Sequence, residues 1–331
     1  MTYWFDEKTL DQLTMPEPRL PALETWLRQE VWTIGRFQAN DMAPSRYLKS
    51  GETLVNEMEC LLTATADSYF GELCARPVPS RTVADFFARY EDGCVLILDG
   101  CSLREMPRLM ELAGISRRPV IEALCSRSAI PSTTERFVGE RLGLGLPVTA
   151  PSRLASRHEL RERNIRFHFF QSPNEHQTIS DEVGHVLIWH RFPDRRFMDS
   201  TASTEEFFDG IWDTLEIVWK KTVQALPPSR HVLVTSDHGY VYLGPGLSDR
   251  NLDGMNRVLN GKRSREYTEE EPLPTEAPAL FVDRERRVAA IKGRCHNRPQ
   301  APSPAQSVYR HEGISLMEVL TPWLILGPME V

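Results

Sequence analysis

Cys94-Val95-Leu96-Ile97-Leu98-Asp99-Gly100 is a run of five apolar residues that stops abruptly at an acid and a glycine. A strand this short and this uniformly apolar has no solvated face. That suits a parallel sheet covered by helices on both sides. The turn Glu91-Asp92-Gly93 precedes it, and two later segments repeat the pattern. His185-Val186-Leu187-Ile188-Trp189-His190 runs into a polar turn containing Asp194. His231-Val232-Leu233-Val234-Thr235 runs into Ser236-Asp237-His238-Gly239. Between those two strands, Glu205 to Ala225 carries Phe207, Phe208, Ile211, Trp212, Leu215, Ile217 and Val218 at helical spacing. Strand, helix, strand is the crossover unit of a doubly wound sheet. The fold expected is therefore α/β, a mostly parallel sheet with helices on both faces.

On the N-terminal side, residues 1–90 read as a helical extension. Leu20-Pro21-Ala22-Leu23-Glu24-Thr25-Trp26-Leu27 opens one helix, Leu54–Thr63 lies in another, and Asp85–Tyr90 is a helix end. Residues 91–331 form the α/β domain, interrupted at about 241–305 by a polar, turn-rich insertion that reads as a small cap. Within it, Leu280–Val282 and Arg287–Ile291 predict a hairpin around Asp283–Arg286. Gln306–Arg310 predicts an extended segment delivering His311, and Leu316 to Leu326 complete the core.

Composition narrows the class. The chain has 331 residues, 41% of them hydrophobic, and a formal net charge of -7, which argues against dominant non-specific affinity for nucleic acid. Six cysteines include no C-x-x-C pair, so neither a zinc finger nor a disulfide scaffold is indicated. No apolar run approaches the roughly 20 residues of a membrane span. The N-terminus lacks a basic region followed by an apolar stretch. A soluble, cytoplasmic protein is expected.

In open α/β sheets, ligands bind beyond the carboxyl ends of the strands. Asp99, Asp194, Asp237 and His238 all stand there. Carboxylate oxygen and imidazole nitrogen together suit zinc, and the carboxylates also suit magnesium or manganese. Taken alone, Asp99 reads first as a helix N-cap, and Asp237–His238 also reads as a hydrogen-bonded turn. Ile130-Pro131-Ser132-Thr133-Thr134-Glu135 sets three hydroxyls ahead of the helical stretch Arg136 to Leu142. Such a hydroxyl is a helix cap, an anion site or, if a metal lowers its pKa, a nucleophile. Tyr309-Arg310-His311-Glu312-Gly313-Ile314-Ser315 offers one more imidazole.

The order of these segments resembles the alkaline-phosphatase superfamily, most closely its PglZ-domain branch, over about residues 91 to 331 less the insertion. Its carriers are Asp99-Gly100-Cys101-Ser102-Leu103-Arg104, Pro131-Ser132-Thr133-Thr134, Trp189 to Asp194, Thr235-Ser236-Asp237-His238-Gly239 and His311-Glu312-Gly313-Ile314-Ser315. The resemblance implies an alkaline-phosphatase-like fold and two divalent metal ions, zinc foremost, with manganese or magnesium also suited. Asp99, Thr134, Asp237 and His238 would hold one metal; Asp194 and His311 the other. Thr134 matches the nucleophile, with Ser132 and Thr133 as alternative registers. Arg104 would contact substrate phosphate. The third ligand usual beside Asp194 has no histidine here: Arg195-Arg196-Phe197-Met198-Asp199 follows, so Asp199 is the nearest candidate, and His190 precedes the motif. The two arginines either bind phosphate or mark a weak second site.

The activity implied is that of a metal-dependent phosphoesterase, a phosphodiesterase or nuclease acting on nucleic acid or cyclic nucleotides. The same resemblance implies an anti-phage defence setting with protein partners. Arg153 to Arg166, and Lys262-Arg263-Ser264-Arg265 with Arg284, Arg286 and Arg287, are the stretches that suit a phosphate backbone. The alternative is a scaffold or regulatory subunit whose second site has degraded.

Overall fold

The computed structural model describes residues 11, 20–35, 43–65, 68–74, 81–179, 184–199, 204–243, 250–251, 255–296 and 309–330. The helices are α1 (Leu20–Trp26), α2 (Pro44–Thr65), α3 (Ser68–Cys74), α4 (Val83–Arg89), α5 (Met106–Ile115), α6 (Thr134–Glu140), α7 (His158–Glu162), α8 (Asp194–Asp199), α9 (Thr204–Lys221), α10 (Met255–Leu259) and α11 (Leu316–Val319). The strands of the main sheet are β1 (Cys94–Leu98), β2 (Val120–Arg127), β3 (Ile165–Phe170), β4 (His185–His190) and β5 (Val232–Thr235). Short strands follow: β6 (Val241–Tyr242), β7 (Arg250–Asn251), β8 (Ser264–Glu266), β9 (Leu280–Asp283), β10 (Val288–Ile291), β11 (Cys295–His296) and β12 (Tyr309–Arg310). The last strand, β13 (Leu320–Leu326), returns to the main sheet.

That sheet runs β2-β13-β5-β1-β4-β3. β3, β4, β1 and β5 are mutually parallel, while β13 inserts antiparallel between β5 and β2. β1 lies at the centre and every one of its residues is buried, as its uniform apolarity requires. Alternation sorts its side chains. Cys94, Leu96 and Leu98 join the core shared with α1, α2, α3, α5 and α9; Val95 and Ile97 join the core under α4, α6 and α7. Helices thus cover both faces. α9 buries Phe208, Ile211, Trp212, Leu215, Val218 and Trp219. In the cap, β9 and β10 form the expected hairpin, β8 adds a third strand, and Leu259, Tyr267, Leu280, Val282, Ala289 and Ile291 make a separate small core.

β2 and β3 lie outside the segments read as strands from the sequence. β3 does carry a period of two, Ile165, Phe167 and Phe169 against Arg166 and His168, but it overlaps the stretch read as basic, Arg153 to Arg166. β2 is an edge strand whose Val120 and Ile121 are 38% and 44% exposed. Arg28 and Arg81, from the helical extension, donate to the carbonyls of Ala123 and Cys125 on that strand. Charged side chains on an edge strand oppose further strand pairing. Helices α1, α2 and α3 therefore share one core with the sheet, and Arg28 and Arg81 cover its edge.

Candidate metal centre

Three strand ends converge through backbone hydrogen bonds. Asp99 N–H donates to the His190 carbonyl, and Asp194 N–H donates to the Asp99 carbonyl, both at 2.9 Å. Gly100 has φ +77°, and a Cβ there would lie 3.0 Å from Asp194 Cβ, so the turn after β1 needs glycine to let α8 approach. Gly100 N–H donates to Asp237 Oδ1 at 3.1 Å, tying β1 to β5. The Ser236 hydroxyl accepts from Cys101 N–H at 2.9 Å and donates to the Leu98 carbonyl. Gly239 is equally constrained: a Cβ would meet the Met317 carbonyl oxygen at 2.1 Å.

The ligand-type atoms gather in two adjoining groups, Asp99 with Asp237 and His238, and Asp194 with His238 and His311. His238 Nε2 lies 3.5 Å from Asp99 Oδ1 and 3.6 Å from Asp237 Oδ2. His311 Nε2 lies 3.6 Å from Asp194 Oδ1. The two imidazoles stack, with ring centroids 4.2 Å apart and planes at 14°. Thr134, the first residue of α6, donates from Oγ1 to Asp237 Oδ2 at 2.6 Å. The side chains of Asp99, Asp237 and His238 are buried; those of Asp194 and His311 are 12% and 23% exposed.

These groups fit a divalent cation. His238 Nδ1 faces the Gly239 carbonyl at 2.9 Å, and His311 Nδ1 faces the Ser132 carbonyl at 3.3 Å. A carbonyl only accepts, so each Nδ1 carries a hydrogen, and each Nε2 is the atom left to bind a proton or a cation held between the ring and the carboxylates. Metal-binding histidines are held this way, the second nitrogen donating to a carbonyl. Asp99 Oδ1 and His238 Nε2 are buried without a hydrogen-bond partner, which native interiors avoid unless an ion or water completes them. The gaps of 3.5–3.6 Å exceed strong hydrogen bonds and match two ligands sharing a cation with bonds of about 2 Å. Electrostatics agree. Burial, then Asp99, pushes the Asp237 carboxyl up to about 6. Burial depresses His238, but Asp237 and Asp99 outweigh it and raise its pKa well above the usual imidazole range. The pocket concentrates negative charge that only a proton or a cation relieves.

Not every sequence candidate reaches the centre. Arg104 is a correction: its side chain is fully buried, pairs with Glu52, and donates to the Tyr240 carbonyl at 2.7 Å. Through that bond it holds the backbone after His238, with its guanidinium enclosed in the core rather than open to the centre. Arg196 turns to α9, donating to Gly210 O and Thr214 Oγ1, while Arg195 is exposed and donates to Gln171 O. His190 is buried, accepts from Phe192 N–H through Nδ1, and is held down to about 4 by desolvation. Asp199 ends α8, and its side chain lies outside the described residues. Ser132 is fully buried and its hydroxyl is engaged by the His311 loop, while Thr133 is the N-cap residue of α6 without a side-chain cap bond. Of the three hydroxyls, Thr134 alone bonds to a carboxylate of the centre. Trp189 was not singled out; its indole N–H points at Asp99 Oδ2, at 3.4 Å. The signal for it was chemical: an indole inside an apolar strand must find an acceptor.

No protein-family model and no curated protein matches the chain. Among solved structures it is similar to murine ectonucleotide pyrophosphatase / phosphodiesterase 5, at 12% identity and a TM-score of 0.46, over 72% of this chain and 88% of that one. It is also similar to phosphonoacetate hydrolase from Sinorhizobium meliloti 1021, at 10% identity and a TM-score of 0.38, over 71% of this chain and 90% of that one.

Proposed function

We propose that this chain is a metal-dependent hydrolase of phosphoric esters that cleaves small phosphodiesters of nucleotide size through Thr134. The observation that carries this reading is the Thr134 hydroxyl, half-buried and 2.6 Å from Asp237 Oδ2, beside two carboxylate–histidine groups. Asp99, Thr134, Asp237 and His238 would hold one divalent ion, and Asp194 with His311 a second, which together would neutralise phosphoryl charge and acidify a hydroxyl or water. Asp237 Oδ2 takes the hydrogen of Thr134 Oγ1, which leaves the oxygen's lone pairs to face phosphorus. Attack there forms the phosphoryl-threonine ester and breaks the bond to one ester oxygen, which takes up the proton from Asp237 and leaves as the alcohol; water then cleaves the Thr134 ester.

The cap favours a small diester. A cavity of about 380 Å³ opens beside Pro131, Thr133 and Glu312 and is walled by Leu259, Asn260, Lys262 and Ser264, room for a second ester group. Of the basic stretch expected to follow a nucleic-acid backbone, Arg263 pairs with Glu318, Arg265 with Glu271, and Arg286 with Asp283. Arg287 donates to the Thr268 and Glu271 carbonyls. In the cap stretch little charge beyond exposed Arg284 is left for a polyanion, whereas Arg153, Arg161 and Arg163 of the other basic stretch stay exposed.

The test is hydrolysis of bis-p-nitrophenyl phosphate and p-nitrophenyl phosphate by wild type and Thr134→Ala, with zinc, manganese or EDTA. Metal-dependent cleavage that prefers the diester and drops at least ~10³-fold in the variant is expected, with metal still bound in part. A fully active Thr134→Ala enzyme sinks the nucleophile. A folded wild type inert with every metal favours the second reading, a scaffold. One observation supports that reading: Asp194 and His311 are the only members of the second group not shared with the first, among the described residues.

A further inference from the structure

Ser132 is fully buried, and its polar atoms serve one neighbour, the loop that carries His311. Its hydroxyl donates to the Gly313 carbonyl at 3.2 Å and accepts from Glu312 N–H at 3.0 Å. Its carbonyl faces His311 Nδ1 at 3.3 Å. Between these contacts Glu312 sits at φ +80°, a left-handed conformation that costs a residue with a Cβ on the order of 1 kcal/mol and persists only where the surroundings hold it. Glu318 Oε1 accepts from Gly313 N–H at 2.9 Å on the other side of the loop. The loop is thus clamped from two directions. The clamp nearer the metal centre stands two residues before Thr134 on the same turn.

We propose that Ser132 is a positioning residue. It fixes the His311 tautomer, aims Nε2 at Asp194, and holds the second metal's ligands in register with Thr134. This rests on the reading that the centre binds metal. The argument is geometric. A histidine ring on a loop open to solvent on one side, here 23% exposed, keeps rotational freedom that weakens it as a ligand. A carbonyl on Nδ1 and two hydrogen bonds to the following residues remove that freedom. The Asp99, Asp237 and His238 group depends on none of these bonds, since His238 is oriented by Gly239. Loss of the Ser132 hydroxyl should therefore act on one metal and spare the other.

Zinc titrations of metal-free wild type, Ser132→Ala and Ser132→Thr separate the outcomes. Wild type should take up two ions. Ser132→Ala should keep the tighter ion and bind the weaker one on the order of 10- to 100-fold less well, the usual effect of removing support behind a ligand. Ser132→Thr, which keeps a hydroxyl, should stay near wild type. A Ser132→Ala protein that binds both ions as tightly as wild type overturns the proposal alone; a wild type that binds no zinc overturns the metal-dependent reading itself. Should Ser132→Ala not fold, nitrogen-15 spectra of the metal-free wild type at pH 8 decide. The His311 ring must carry its hydrogen on Nδ1, and a hydrogen on Nε2 overturns the proposal.

Discussion

The floor and the rim of this centre are held by different means. Asp99, Asp237 and His238 lie on the turns directly after β1 and β5, whose pairing in the middle of the sheet sets Ile97 opposite Thr235. Folding the core places those three ligands. Asp194, His311 and Thr134 sit on a helix start, a loop and a second helix start, partly open to solvent. Sheet register fixes the floor, and a few hydrogen bonds between loops fix the rim. The lesson is that two adjoining groups of candidate ligands can rest on different supports, sheet register for one and loop hydrogen bonds for the other, while using the same residue types. Burying two carboxylates and an imidazole is expensive unless their charges are matched, and here the sheet imposes the arrangement.

The largest effect expected comes from breaking the floor. Asp237→Ala removes a floor carboxylate and the acceptor of the Thr134 hydrogen bond, so turnover should fall at least ~10³-fold and the tight metal should be lost. His311→Ala should lose the weaker metal and keep the tight one. Metal content by mass spectrometry and by elemental analysis reads both. If His311→Ala empties both sites, floor and rim are one unit and the contrast fails.

Next in size is the support behind the floor. Arg104 pairs with Glu52 of α2, and Glu52 also meets Arg294 at 3.2 Å. Removing one partner of a buried ion pair costs about 3–5 kcal/mol because the other charge is left behind. Arg104→Ala should lower the unfolding midpoint accordingly, with KM for the diester unchanged in whatever fraction stays folded. A large KM effect in a protein of normal stability would restore Arg104 as a substrate contact.

The floor was legible in the sequence and the rim was legible only in part, for the same physical reason. Uniformly apolar strands ending in Asp99 and in Asp237-His238 announce both the sheet and the place where a ligand sits, because register and side-chain direction follow from the strand itself. What lies on loops depends on long-range contacts that no local pattern encodes. The choice among Ser132, Thr133 and Thr134 needed the position of Asp237. Arg104 follows the motif closely in sequence, yet its direction was decided by Glu52 from a helix 52 residues earlier. β2 was hidden because its apolar and polar positions follow no clean period, with Val120 and Ile121 exposed at the sheet edge, whereas β3 alternates Ile165, Phe167 and Phe169 with Arg166 and His168 and was passed over for its basic residues. The cap arginines looked like a free basic surface, and only tertiary contacts show that most are paired: Arg263, Arg265 and Arg286 with carboxylates and Arg287 with carbonyls.

The smallest effect sharpens the contrast from the rim's deep end. Glu59 of α2 accepts from Leu316 N–H at 2.6 Å, where the His311 loop enters α11, while its other carboxylate oxygen is buried without a partner. Desolvation outweighs the pull of Arg294 and lifts this carboxyl to about 7 from an ordinary 4.5. The folded protein therefore disfavours the charged form. Between about pH 4.5 and 7 the unfolded chain has already released this proton while the folded one retains it, so the contribution of Glu59 to stability declines as pH rises through that window and stays low above it. Glu59→Gln keeps an oxygen for Leu316 N–H and removes the charge. It should match wild type near pH 5 and exceed it by about 1–3 kcal/mol at pH 8. Urea unfolding at both pH values measures the difference. A wild type that is the more stable protein at pH 8 would mean that the ionised carboxylate is satisfied there, and that the rim, like the floor, is anchored by a matched charge.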